Sequence, residues 1–562
     1  MNAERLLQHF ERLSEAPEAI PRLRRFILDL VVRGQLLEQD PNDEPATELL
    51  KRIQTEKGRL LKEGKVRKTK TLEPLADGDI PFSLPFLWTA TRLGIAYDVR
   101  DETHDTPKYV DIGYPLITSK NLSTGQLSFD DIKFISEQDH RQISERSLVE
   151  RGDILLAMIG SIGNPVIVNT DCAFSIKNVA LFKYFHRPSS HPGFLRLFLQ
   201  NAASEMQQLA AGGLQPFVSL GFLRNYPFPL PPLAEQHRIV AKVDELMALC
   251  DDLEVAKTER EQSRDRLVAA SLQRLNQPAD DETFRGDACF TFDHLPHLTT
   301  HPKHIKQLRQ TILNLAVRGK LVPQDPNDEP VAELLERILA EKARLVKEGK
   351  IRKQNPQAEI ALDELPFALP NLWVWARLGD VIHLISGQHL QPGEYSNQSP
   401  SGLPYITGPA DFGEDGLVIT RYAVVRKAVA KHGQVLLTVK GAGIGKTAIC
   451  DLPEVAISRQ LMAMTAIAWS QDFLLLMTHR LAETLKESAR SLIPGISRED
   501  VDQFVFALPP LAEQHRIVAK INELMARCDQ LEIQLSTTAT DSRRLLEAVL
   551  HEALTPALKE AA

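Results

Sequence analysis

The sequence predicts an α+β protein in which two globular mixed α/β domains are separated by long antiparallel coiled-coil helices, in a pseudo-two-fold, circular arrangement. Three observations predict it: length, an internal repeat and a change of hydrophobic period. At 562 residues the chain is long enough for three or four units, each with its own core. The stretch ILDLVVRGQLLEQDPNDEP at 27–45 returns 285 positions later as ILNLAVRGKLVPQDPNDEP at 312–330, and LPPLAEQHRIVAK occurs at 230–242 and again, unchanged, at 508–520. Self-similarity at so long a period sets the architecture before any local reading.

Five segments follow: an N-terminal helical repeat segment 1–84, a globule 85–230, a central helical spacer 231–369, a second globule 370–508 and a C-terminal helix 509–562. In the first segment the repeat leads into a basic helical run, GRLLKEGKVRK, matched later by ARLVKEGKIRK, and ends at a Leu-Pro-x-Leu-Trp landmark at Trp88 and Trp373. The globules share a skeleton but few side chains. GYPLITSKNL, GDILLAMIGSIGNPVIV and FSIKNVALF of the first are answered by GLPYITGPADF, GQVLLTVKGAGIGKTAI and ISRQLMAMTA of the second. Apolar runs alternating with Gly, Asn, Ser and Pro turns predict short strands, with helices near 194–210 and 472–490. After each LPPLAEQ the period changes to a coiled-coil seam, Ile239, Val243, Leu246, Cys250 and Leu253 in one copy, Ile517, Ile521, Leu524, Cys528, Leu531 and Leu535 in the other. Two prolines open each seam helix, with Glu235 or Glu513 in the first turn, where the helix dipole favours a carboxylate. The stretch 276–302 breaks the helical pattern, which resumes through Ile305, Leu308, Ile312 and Leu315. This order is a circular permutation of a two-fold, so the N-terminal segment and the C-terminal helix are expected to fold against each other as a second antiparallel pair.

Composition narrows the class. The net charge is −8, hydrophobic residues make up 43% and charged residues 25%, ordinary values for a globular chain. No stretch approaches 18 apolar residues, so no membrane span and no membrane partner is expected. The five cysteines are scattered without a Cys-x-x-Cys pair, which points to a reducing cytoplasm and no zinc site. The charge argues against coating nucleic acid by bulk electrostatics.

No catalytic set emerges. GAGIGKT at Gly441–Thr447 looks like a phosphate-cradling loop, but only three residues separate Gly441 from Gly445 where a Walker loop needs four, and the partner segment has GSIGNP. A Gly-rich turn after an apolar strand is the better reading. His237 and His515 lack a metal-ligand spacing, and Glu63-Gly-Lys65 with Glu348-Gly-Lys350 read as solvated turns in charged helix ends. The basic runs Lys57–Lys70 and Lys342–Lys353 read equally as solvated helix ends and as phosphate contacts. Neither a catalytic residue, a bound cofactor nor a metal is expected in this chain.

Two variable globules separated by repeated helices, each ending in LPPLAEQ, with LAVRGKLVPQDPNDEP after the helix pair, resemble the specificity subunits of type I restriction-modification systems. The resemblance covers essentially the whole chain. It implies that each globule is a target-recognition domain reading one half of a bipartite double-stranded DNA sequence. The helices would set the gap and dock two methyltransferase subunits. Restriction and translocase subunits would join that core, with S-adenosylmethionine, ATP and magnesium bound by those partners.

Side chains that meet base edges must differ between half-sites, as the globules do, whereas two copies of one partner need identical helical blocks. Candidate DNA-binding residues are polar or cationic positions on matching turns: Ser119, Lys120, Asn121, Ser161, Asn164, Lys177 and Asn178 in the first globule, and Thr407, Lys440, Lys446, Ser458, Arg459 and Gln460 in the second. The competing reading is a coiled-coil scaffold with two protein-binding globules. It explains the helices but not two globules diverged on one skeleton. The acidity lies mainly in 231–369 and 509–562, and both globules are close to neutral. Such a chain is expected to bind DNA poorly alone, its partners supplying much of the phosphate neutralisation.

Overall fold

A computed structural model describes residues 16–68, 72–76, 78–101, 107–160, 162–209, 217–276, 280–353, 359–397, 402–441, 443–488 and 495–554. The chain divides into two units, Met1–Glu261 with Thr538–Ala562, and Gln262–Thr537.

In the first unit the helix Ala19–Arg33 buries Phe26, Ile27, Val31 and Val32 along one face, the 3.6-residue periodicity of an amphipathic helix. It stops at Gly34, whose φ of 64° is left-handed, and a Cβ there would lie 2.4 Å from Pro85 Cγ. Gly319 repeats the arrangement, φ 68° and 2.6 Å from Pro370 Cγ. Close approach and backbone conformation together account for the glycine at this place in both repeats. The helix runs antiparallel to the seam helix that starts at Leu233: Arg24 Nη2 donates to Asp251 Oδ1 at 2.5 Å and Glu254 Oε2 at 2.8 Å, while further along the chain Gln39 Nε2 donates back to Glu235 Oε1 at 2.6 Å. Ile239, Val243 and Cys250 of the seam are buried, but Leu253 is exposed, so the expected seam ends one position early.

The last helix, Leu511–Leu554, contributes its end to the same unit. Arg22 Nη1 donates to Glu547 Oε1 at 2.6 Å, and Ala16, Ala19 and Leu546 share a buried cluster. Residues 16–22 and 546–547 therefore meet, as the circular order requires. The pairing differs in one respect from expectation: the antiparallel partner of Ala19–Arg33 is the seam helix of its own repeat, because the polar contacts described below fix that helix beside it.

The second unit repeats this geometry. Pro302–Val317 runs antiparallel to the start of Leu511–Leu554, with Arg309 Nη2 2.7 Å from Asp529 Oδ1 and 2.8 Å from Glu532 Oε2. Ile517, Ile521, Leu524 and Cys528 are buried, with Leu531 and Leu535 packed against them. The stretch 276–302 is helical at Asp281–Asp293 and Leu295–Leu298, contrary to expectation. Asp280 caps the first of these, accepting from Thr283 N at 2.7 Å, and Phe284, Ala288 and Leu295 pack on the core. Tertiary burial thus overrides a weak local pattern.

Each globule is closed at its root by its first and last strands. Thr89–Arg92 pairs antiparallel with Pro227–Leu230, and Val374–Arg377 with Val505–Leu508. The first globule has a four-stranded antiparallel sheet, in the order Tyr97–Arg100, Val179–Tyr184, Ile154–Ala157, Gly163–Ile167, and a mixed four-stranded one, Tyr109–Val110, Lys133–Ile135, Tyr114–Thr118, Ser175–Lys177. The second has the matching antiparallel sheet and a five-stranded mixed one. Helices Pro192–Leu209 and Gln471–Ser488 occupy the places expected. Phe182, Phe194, Phe228 and Tyr97 are fully buried in the first core, with ring edges against faces, as at 5.5 Å between Tyr97 and Phe228.

Candidate nucleic-acid interface

In each mixed sheet one strand pair is parallel. Leu116, Ile117 and Thr118 face Ser175, Ile176 and Lys177, and Tyr405 and Ile406 face Ala456 and Ile457. Parallel strands deliver their C-terminal ends to the same edge, so the turns that follow them emerge side by side. Next in the chain, Ile154–Ala157 lies against Val179–Tyr184 with Ala157 opposite Val179, which carries a third turn to that edge. The sequence placed its candidates on three separate turns per globule, and the fold brings those turns together.

Hydrogen bonds tie them in the first globule. Ser119 Oγ donates to Asn178 O at 3.2 Å, Met158 N to the same carbonyl at 3.2 Å, and Asn164 Nδ2 to Ser123 O at 3.0 Å. Asn164 and Asn178 have left-handed φ of 51° and 58°, a conformation asparagine tolerates better than most residues. Lys120 and Asn178 are exposed, and Lys177 is half-buried. Asn121 is corrected: it is 7% exposed, its Oδ1 accepting from Thr118 N and Oγ1, both at 3.0 Å, while its Nδ2 donates to Asp130 O. That amide holds the turn and is not presented to a ligand. Ser161 lies outside the described residues.

The second globule is built alike. Val439 N donates to Gln460 O at 2.8 Å, Ser458 Oγ to Thr407 O at 2.5 Å, and a Cβ on Gly443 would lie 2.3 Å from Pro409 Cγ. Lys440, Lys446, Arg459 and Gln460 are exposed on these turns. Ser458, buried at 5%, is corrected in the same way as Asn121. Thr407 is half-buried, its hydroxyl donating to Asp411 Oδ2 at 2.8 Å, so it too serves the turn.

Ion pairing divides the cations of the surface, and the candidates share the solvated side of that division with Lys62, Arg67, Lys68, Lys347, Arg352 and Lys353 of the basic runs. Most cations of the helical repeats are engaged: Arg59 with Glu56 and Glu63, Arg344 with Glu341 and Glu348, Lys65 and Lys350 with the neighbouring glutamates. Lys57 Nζ donates to Gly94 O at 2.8 Å and Lys342 Nζ to Gly379 O at 2.7 Å, and burial pushes both ammonium groups down. These two lysines of the basic runs hold the globule roots and leave phosphate contact to others. By contrast Lys120, Lys440, Lys446 and Arg459 carry no ion pair or side-chain hydrogen bond among the described residues.

The repeated blocks, far along the chain from one another, form a clasp that the sequence did not reveal. Glu235, 1% exposed, accepts from Trp88 Nε1 at 2.9 Å and from Gln39 Nε2 at 2.6 Å, and Arg238 Nη2 reaches Asp43 Oδ2 at 2.6 Å. Glu513 receives Trp373 Nε1 at 2.9 Å and Gln324 Nε2, with Arg516 on Asp328 at 2.6 Å. QDPNDEP, the tryptophan landmark and LPPLAEQHR are thus pieces of one joint, and burial pushes both glutamates above the usual carboxylate range. The only signal available was that all three recur together. Arg498 was also missed, since it reaches the candidate edge through the bond from Ile496 N to Val439 O.

Gly441–Thr447 is a tight connection between the antiparallel strands Val435–Thr438 and Thr447–Ile449, with Gly445 N donating to Thr438 O at 2.9 Å. It opens no helix, so it lacks the strand-loop-helix setting of a phosphate loop. Among the described residues no group of three or more His, Cys, Asp or Glu could hold a metal ion, and no helix is long and apolar enough to cross a membrane.

Residues 99–261 and 370–540 match the family model of the type I restriction modification DNA specificity domain. The chain is 32% identical over 572 residues to the type I restriction enzyme EcoAI specificity subunit of Escherichia coli, covering 95% of this chain and 94% of that one. It is 31% identical over 580 residues to the EcoEI specificity subunit of Escherichia coli, with the same coverage of 95% and 94%. A crystal structure of an HsdS subunit from Thermoanaerobacter tengcongensis aligns with 85% of this chain and 99% of its own, at 23% identity and a TM-score of 0.44. With the family domain present twice and two relatives matched nearly end to end, the chain belongs to the type I restriction-modification DNA specificity subunits.

Proposed function

We propose that this chain reads DNA for a type I restriction-modification complex and leaves the chemistry to its partners. Each globule reads one half of a bipartite target through its cluster of turns. The helical repeats set the gap between the halves and dock two methyltransferase subunits, and restriction and translocase subunits complete the assembly. Those partners bind S-adenosylmethionine, ATP and magnesium. The observation that carries the reading is the division of surface within each globule. Side chains that differ between the copies gather on one edge with exposed cations, whereas the clasp residues at the root are identical in the two copies. A reader of two different half-sites on two copies of one scaffold needs that division.

Expressing the chain with its methyltransferase subunit and mapping methylated adenines should give a single split motif; methylation at no split sequence would sink the reading. A second expectation follows from charge. With near-neutral globules and a net charge of −8, the isolated chain should show weak, strongly salt-sensitive binding to its target, tightening when the methyltransferase subunit is added. Sequence-specific nanomolar binding by the isolated chain at physiological salt would contradict this.

A further inference from the structure

The two globules differ at one equivalent place beside the turn cluster. Ile496 N donates to Val439 O and Val218 N to Met158 O, both at 2.9 Å, and Ser497 and Ser219 each cap the short helix that follows. These bonds align Gly495–Arg498 with Phe217–Leu220, and Lys440 with Ile159. In the second globule the place is an open cleft of about 460 Å³ lined by Ser386, Gly387, Lys440, Arg459, Ser497 and Arg498 together with Val439, Leu461, Met462 and Ile496. Three cations and no carboxylate line it. Lys440 and Arg459 carry no ion pair or side-chain hydrogen bond among the described residues, whereas Arg498 pairs with Asp502, Nε to Oδ2 at 3.3 Å. In the first globule the same place carries the bridge Ile159–Phe217, with Phe217 44% exposed, and Leu220. Ile159 and Leu220 thus stand where the second globule has Lys440 and Arg498, while the turn that carries Arg459 holds Lys177 and Asn178 in the first.

We infer that the cleft of Lys440, Arg459 and Arg498 seats a backbone phosphate of DNA in the half-site read by the second globule, and that the first globule has no such seat. The inference rests on the DNA-reading function proposed above and deepens it. Two cations without a partner among the described residues, beside a third whose one carboxylate lies outside the lining, draw an anion, and the cleft's continuity with the turns at 440–446 and 458–460 makes that anion part of the strand under those turns. A phosphate contact fixes register without reading sequence. The two halves of the target would then contribute unequally: the second gains an electrostatic anchor at a place where the first has Ile159 and Leu220.

The test measures DNA affinity of the full chain complexed with its methyltransferase subunit over a series of salt concentrations. Lys440→Gln and Arg459→Gln should each reduce the slope of log affinity against log salt, and the double substitution by about 1, the loss of one phosphate contact, while the preference for the cognate split sequence persists. Ile159→Ala and Phe217→Ala in the first globule should leave the slope at its original value. A methylphosphonate replacing single phosphates of the second half-site should weaken the original complex at one position and leave the Lys440→Gln/Arg459→Gln complex unaffected there. Cognate binding with an unchanged slope in both variants overturns the inference and spares the function. Displacement of DNA by inorganic phosphate at matched ionic strength, abolished by the same substitutions, assigns the cleft to a free anion and overturns it as well. Absence of any preference for a split sequence in the original complex overturns both.

Discussion

Glu235→Ala and Glu513→Ala should each destabilise the unit that carries the residue by about 2–4 kcal/mol, read as a lower denaturant midpoint. Each carboxylate is 1% or less exposed and accepts from a tryptophan Nε1 at 2.9 Å and from a glutamine amide. Truncation leaves the buried tryptophan donor without an acceptor, at about 1–3 kcal/mol, and removes a partly buried glutamine bond worth about 1 kcal/mol more. Glu44→Ala is the contrast: its partner Arg52 is a surface pair, both side chains about half exposed, and its loss should cost less than about 1 kcal/mol. The clasp also has a pH signature. Burial raises the folded-state pKa of Glu235 and Glu513 above the unfolded value, so the fold binds the proton more tightly than the unfolded chain. This contribution is fully present below the unfolded pKa and is lost as pH rises through the folded one. Stability measured from acid upward should therefore show a decline just above the ordinary glutamate range, and the alanine variants should lack it. Equal midpoints for Glu235→Ala, Glu513→Ala and the original protein would refute the clasp.

Exchanging residues 85–230 for the corresponding globule of a relative should alter one half of the methylated motif and keep the other half and the gap. The structural reason is closure at the root. Thr89–Arg92 and Pro227–Leu230 pair with Thr89 opposite Leu230, so both ends of the exchanged segment leave the globule at one place. The seam helix and the helix Ala19–Arg33 lie outside the exchange. Trp88 lies inside it, so the incoming segment must bring Leu-Pro-x-Leu-Trp to meet Glu235; a donor without the tryptophan should fail to fold into an active complex. Methylome mapping reads the result. A change in both halves, or an altered gap, would show that the globules do not read independently.

The candidate edge was partly legible. Lys120, Lys440, Lys446 and Arg459, cations on turns in the sequence, are exposed on converging turns and without an ion pair among the described residues. Asn121 and Ser458 have the same residue character, yet their hydrogen bonds are used within the fold. Residue type tells which bonds a side chain can make; only its neighbours tell whether those bonds are already made. Leu253 failed for a related reason: periodicity marks a potentially buried face, but at that height the neighbouring helix offers Arg24, paired with Asp251 and Glu254, in place of an apolar side chain.

The sequence alone determined the repeat, the circular order, the division into variable globules and constant helices, and the family, because each is a pattern along the chain that survives without coordinates. Tertiary structure decided which of those pieces touch. Trp88 and Glu235 are 147 positions apart, and the turns after Thr118 and Lys177 become neighbours only because their strands pair in parallel. Local propensity and period report the environment along one element. Contacts at such separations are set by the packing of whole elements, whose register no single segment encodes.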